Sequence, residues 1–193
     1  AVGANALDAN TTASYITAVG YQALTNNTTG AGNVAVGSSA SWGNTTGSSN
    51  VSVGVTALNG TSTGSDNVGV GYQALYTNGT GGANVAIGRG ALYTNVAGNN
   101  TAVGYLSLVA NTSGSDNVGV GSRALYTTTS GYNNNAFGSD ALYGNTTGLW
   151  NSAVGHGSLF TNTTGSYNVA FGAVALRLNT TASQNTAIGY GAL

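Results

Sequence analysis

Apolar and polar residues follow one another along this chain in an order that repeats every 17 residues. The stretch Asn67-Val68-Gly69-Val70-Gly71-Tyr72-Gln73-Ala74-Leu75-Tyr76-Thr77-Asn78-Gly79-Thr80-Gly81-Gly82-Ala83 is one unit, numbered below from its Asn as places one to seventeen. Place four is apolar in every copy, from Val2 and Val19 through Val70, Ile87 and Val103 to Phe171 and Ile188. Place nine is Leu, as in Leu75 and Leu92, with Ser41 the lone exception. Small residues fill places three and eight, and place five is Gly in all twelve copies, Gly71 and Gly88 among them. The step is 17 throughout except for one of 16 between Gly88 and Gly104. Repetition at a fixed short period marks a stacked repeat architecture, so residues 1–193 are expected to form a single β-solenoid repeat domain of twelve coils.

The unit predicts two short strands and two bends. A helix carrying this much Gly is disfavoured. The segment at places one to four, 84–87 for instance, has β-branched residues at places two and four, which share one face by the period of two. The Ala-Leu-Tyr segment, 91–93 for instance, is the expected second strand. Gly at place five marks the first bend and the Asn-Thr-Thr-Gly of 27–30 and 145–148 the second, because Asn and Gly take left-handed conformations easily.

Stacked coils would rise by roughly 4.7–4.9 Å each, which makes a rod about 57 Å long. Val70 would then lie beside Ile87 and Leu75 beside Leu92. The place-one residues Asn33, Asn50, Asn67, Asn84, Asn100 and Asn117 would form an amide ladder. The ladder is expected to start there because Ile16 holds place one in the preceding coil. Place ten should stack Tyr76 on Tyr93, then Tyr126, Tyr143 and Phe160. The short coil, which carries Val96-Ala97 where others carry a Thr pair, should tighten near Asn99.

Composition narrows the function. Seven residues are charged, Arg89, Arg123, Arg177, Asp8, Asp66, Asp116 and Asp140, for a formal net charge of -1. No basic stripe exists for phosphates, so nucleic acid is not an expected partner. No apolar run reaches the length of a membrane span, so no membrane insertion is expected. Cys is absent, which removes disulfide and thiol chemistry. No cofactor or metal site is expected, since Asp66 and Asp116 lie three coils apart, about 14 Å along the axis. No catalytic group is expected either: His156, the one histidine, stands at a variable bend place with no Ser or Asp paired to it by the register. Arg123 and Asp140 share place seven in adjacent coils and should form a surface ion pair.

Each coil offers little apolar burial against the entropy of ordering 17 residues, so the rods are expected to associate laterally, as a trimer. The small third-place residues Ala35, Ala86, Ala102 and Ala153 are the expected points of close approach.

The motif Asn-Val/Thr-Ala-Val-Gly-x-x-Ala-Leu resembles the head repeats of trimeric autotransporter adhesins of the YadA type. With Asn-Thr-Thr-Gly added, it is also similar to repeats of phage tail fibres and bacterial cell-surface fibre proteins. The resemblance spans the whole chain, although the coil is longer than in the adhesin heads. It implies a left-handed parallel β-roll, a homotrimer, and a place on the cell surface, in the extracellular space or in a virion fibre. The expected role is therefore the structural shaft or adhesive segment of such a fibre, a segment of something longer than these residues, with a host-surface receptor as partner.

Three other readings follow from particular residues. Open coil ends suit a subunit that associates end to end into a filament. Thr rows on a β-solenoid suit ice binding, although the rows lie on a bend and fail at Val96-Ala97. Exposed Tyr21, Tyr72, Tyr105 and Tyr190 suit a carbohydrate receptor. The Asn-x-Thr sequons at Asn10, Asn27, Asn44, Asn78, Asn145, Asn162 and Asn179 are read as bend chemistry before glycosylation.

Overall fold

A computed structural model describes all 193 residues. Eleven three-residue strands, β1 (Thr17–Val19) to β11 (Thr186–Ile188), pair in chain order into one parallel sheet. Each strand covers places two to four of its copy. Val70 of β4 (Val68–Val70) lies against Ile87 of β5 (Val85–Ile87). The pairing of β5 with β6 (Thr101–Val103) keeps the same places opposite each other across the 16-residue step. Val2 adds an isolated parallel bridge to Val19. The protein is all-β, a parallel β-solenoid in which like residues pile into columns.

Only one strand forms per coil. The expected second strand at 91–93 is a turn, because places seven and nine are left-handed: Gln73 has φ of 57° and Leu75 and Leu92 both have 50°. That conformation costs an L residue roughly 1–2 kcal/mol. It aims the Leu side chain into the coil, where full burial returns roughly 1.5–3 kcal/mol, and Leu75 and Leu92 are fully buried. Backbone bonds still tie these turns together: Leu75 N donates to Ala91 O at 2.9 Å and Leu92 N to Ser107 O at 3.0 Å.

Gly at place five is required twice over. Gly71 has φ of 132°, and a Cβ there would stand 2.8 Å from the carbonyl of Gly88 in the next coil; at Gly88 a Cβ would meet Gly104 O at 2.6 Å. No other residue fits a bend this close to its neighbour.

The interior is made of Ala at places three and eight, Leu at place nine and Asn at places one and twelve. Where Ser41 replaces Leu, Ser52 replaces Ala at place three of the next coil, and Ser41 Oγ donates to Ser52 Oγ at 2.8 Å. This polar pair divides the apolar core into a small cluster ending at Ala40 and a long one beginning at Leu58.

The faces of the strand are the reverse of what lateral packing through place three would need. Ala35, Ala86, Ala102 and Ala153 are wholly buried inside their own coil, so they are not points of approach between rods. Places two and four point outward, as the burial pattern of β2 (Val34–Val36) and β5 records. The short coil also differs from expectation. Its missing residue is absorbed at Val96-Ala97, where Asn95 Nδ2 donates to Ala97 O at 2.7 Å across two residues, not three. Asn99 keeps the left-handed φ, 61°, of its counterparts.

Candidate functional site

The place-one column is built from Asn because one side chain there serves two backbone groups, the N–H of the next place-one Asn and the carbonyl at place fifteen. Asn33 Oδ1 accepts the Asn50 N–H at 2.8 Å, while Asn33 Nδ2 donates to Gly47 O at 2.7 Å. The pattern continues: Asn67, Asn84, Asn100 and Asn117 each donate a backbone N–H to the Oδ1 of the Asn before, at 2.9–3.0 Å.

A second column at place twelve was not anticipated from the bend motif. Asn44 Nδ2 donates to Asn27 Oδ1 at 2.6 Å and to Gly47 O at 3.0 Å, and Asn95, Asn111 and Asn162 repeat the pattern of amide to amide. The signal lay in the sequence, since place twelve holds nothing but Asn and Thr. This column bears on five of the seven sequons. Asn27, Asn44, Asn78, Asn145 and Asn162 are buried, and their amide nitrogens are spent on the ladder, so the folded rod does not present them for glycosylation.

The polar surface does chiefly structural work. Thr11 and Thr28 Oγ1 donate to the place-thirteen carbonyls of the following coils, Thr28 O at 2.9 Å and Thr45 O at 3.0 Å, and Thr112, Thr146 and Thr163 do the same. Those hydroxyl protons are turned back onto the rod and away from solvent; the place-fourteen hydroxyls, such as those of Thr29 and Thr46, are exposed. Arg123 meets Asp140 with Nη2 donating to Oδ2 at 2.9 Å and Nε 2.9 Å from Oδ1. This second contact is ionic and lacks the direction of a hydrogen bond, which leaves the buried Asp140 Oδ1 without a donor. The Arg123 guanidinium is raised above its ordinary value, first by the hydrogen bond to Asp140 and then by the attraction of its charge. His156 is exposed. The surface holds no pocket, no three acidic or His side chains gather to hold a metal, and no helix is long and apolar enough to cross a membrane.

Two aromatic columns stand on the outside. At place ten Tyr76 stacks on Tyr93 with ring centres 5.0 Å apart, and Tyr126, Tyr143 and Phe160 stack in sequence at 4.9 and 5.0 Å. At place six Arg89 sits between Tyr72 and Tyr105, 5.7 and 5.9 Å from their ring centres. These Tyr rings hold a cation between them along the column.

The outer face of the sheet carries exposed apolar side chains. Val36 and Val53 are each 37 % exposed, Ile87 41 %, Phe137 44 % and Phe171 57 %. They belong to an apolar column along place four, flanked at place two by Val34, Val51, Val68, Val85, Val118 and Val169 and interrupted there by Thr17, Thr101, Asn135, Ser152 and Thr186. Comparison of the chain with protein-family models, with curated proteins and with solved structures finds no match.

Proposed function

We propose that the chain is a structural shaft or adhesive segment of an extracellular fibre, a left-handed roll of twelve coils that associates laterally with two further copies. The observation that carries this reading is the apolar column at place four on the outer face of a ladder-built rod. A thin solenoid with one Leu per coil gains the burial it lacks when this apolar column is covered, and a column of stacked coils resists stretch along its axis through every backbone rung. Three copies, left-handedness and the surface location rest on the resemblance to adhesin heads; the contacting face rests on the exposure of Val36, Val53, Ile87, Phe137 and Phe171.

Light scattering on the purified chain tests it. The expected mass is three times 18.8 kDa, about 56 kDa. Asp at positions 53 and 87 together should return the single-chain mass, because a charge buried at an apolar contact is strongly disfavoured. A wild-type mass of 18.8 kDa would overturn the reading.

A further inference from the structure

The corner at places sixteen and seventeen is small or polar in most coils, as in Ala31-Gly32, Ser48-Ser49, Ser65-Asp66, Gly82-Ala83 and Ser115-Asp116. Apart from the solitary Tyr15, it turns aromatic in one stretch only, where Tyr132, Leu149-Trp150 and Tyr167 occupy successive coils. Trp150 N donates to Tyr132 O at 3.2 Å and Tyr167 N to Leu149 O at 3.0 Å, so these residues stand on consecutive rungs. The rings are 40 %, 51 % and 54 % exposed at Tyr132, Trp150 and Tyr167. Trp150 and Tyr167 hold φ of 57° and 58°, a conformation that Gly, Asn and Asp take readily and bulky residues rarely. Every coil makes this corner with a left-handed residue at place seventeen, Ser49, Ala83 and Gln184 among them, so the bend asks for no ring there, and packing does not explain the rings either, since they are half in solvent. Three half-exposed aromatic rings gathered on successive rungs, where neither core nor bend calls for them, point to a ligand.

The surroundings identify its chemistry. No residue of 129–135, 146–152 or 163–169 is charged; the one charge at the corner of an adjoining rung is Asp116, beside Asn133 at the far end from Tyr167. The Asn133 amide and the exposed Thr147 and Thr164 hydroxyls make no hydrogen bond within the chain. Flat apolar rings beside free, uncharged donors and acceptors match a sugar, whose C–H face lies on a ring while its hydroxyls bond amides and hydroxyls. We propose that the corner spanning 132–167 binds a neutral glycan, with Trp150 as its central platform. This deepens the adhesive form of the reading above and rests on it for the glycan's place on a cell surface.

The test uses the full chain on a printed array of neutral and acidic oligosaccharides. Wild type should be retained on neutral sugars, and Trp150→Asn or Tyr167→Asn should weaken that binding by at least about tenfold, as loss of a central aromatic anchor does. Asn takes the left-handed conformation without strain, so both variants fold. Trp42→Ser, at an exposed ring on place ten away from this corner, should change nothing. No binding to any neutral sugar, binding confined to acidic ones, or binding unaffected by Trp150→Asn would overturn the site. If Trp150→Asn lowers the mass in light scattering, the corner is a contact between copies and the glycan site is likewise overturned. A trimer mass with no sugar bound would sink the site and leave the fibre reading standing.

Discussion

Two amide columns run along this rod, one at place one and one at place twelve. The first passes from Asn33 to Asn185 with every step bonded. The second is cut at Thr61 and again at Thr128. At each cut two buried oxygens lose their partners, Asn44 Oδ1 with Thr61 Oγ1, and Asn111 Oδ1 with Thr128 Oγ1. The backbone at the cuts stays satisfied, because Gly64 O still receives Asn50 Nδ2 and Gly131 O still receives Asn117 Nδ2, both at 2.8 Å. A place-one amide accepts a backbone N–H of the next coil as well as donating to a carbonyl, whereas a place-twelve amide donates to a carbonyl that a place-one amide also reaches and otherwise bonds another side chain. The second kind of bond can be lost without unpairing the chain itself, and the chain has lost it twice.

The most severe way to break this contrast is Asn117→Ala. It removes the acceptor of the Asn134 N–H at 3.0 Å. It also removes the side-chain donor to Gly131 O, which Thr128 cannot replace. Two buried backbone groups left unpaired should cost roughly 2–6 kcal/mol in total, read as a lower urea midpoint of the assembled rod. Asn67→Ala should cost less, because Gly81 O keeps the Asn78 Nδ2 donor at 2.6 Å.

The contrast should also yield to repair. Thr61→Asn and Thr128→Asn each supply an amide to a waiting oxygen and should raise stability by roughly 1–3 kcal/mol. The sites lie four coils apart, so the double variant should show the sum, checked by the same urea titration. Asn44→Thr is milder than either. It moves the end of a ladder segment back by one coil, trading an unpaired Asn44 Oδ1 for an unpaired Asn27 Oδ1. The net loss should be about 1 kcal/mol, the ordinary worth of the bonds removed.

The smallest effect expected is that of pH. The columns carry no charge, and Arg123 is held above its ordinary value by Asp140. A raised value in the folded state means that its contribution is complete below the unfolded value and is lost only as pH climbs through the folded one, far above neutrality. The melting temperature should therefore stay level from about pH 5 to about pH 9.

Much of this was legible in the sequence, and the reasons are specific. The 17-residue step fixed which residues stack, so the Val70–Ile87 pairing, the place-one amides, the Tyr126–Tyr143–Phe160 column and the Arg123–Asp140 pair follow from register alone. Which way the strand faces does not follow from register. Alternation places Val68 and Val70 on one side without naming the side. The distinguishing signal was tolerance: place three admits only Ala, Ser and Gly, while place four admits Phe137 and Phe171 as well as Val. A close-packed interior does not accept Phe for Val, so place four had to lie outside. The left-handed turn had a partial signal in Asn5, Gly90, Asp140 and Gly157 at place seven, all tolerant of positive φ. Leu at place nine gave none, because its conformation is imposed by the burial of its side chain.

Hydrogen exchange resolved to single backbone amides tests the ladder account most directly, since local opening reports how well each coil is held. The place-one N–H groups from Asn50 to Asn185 should exchange slowly, with protection lowest in the coils around Thr61 and Thr128. Equal protection in every coil, or a minimum at the shortened coil of Val96-Ala97 in place of the two threonines, would contradict it.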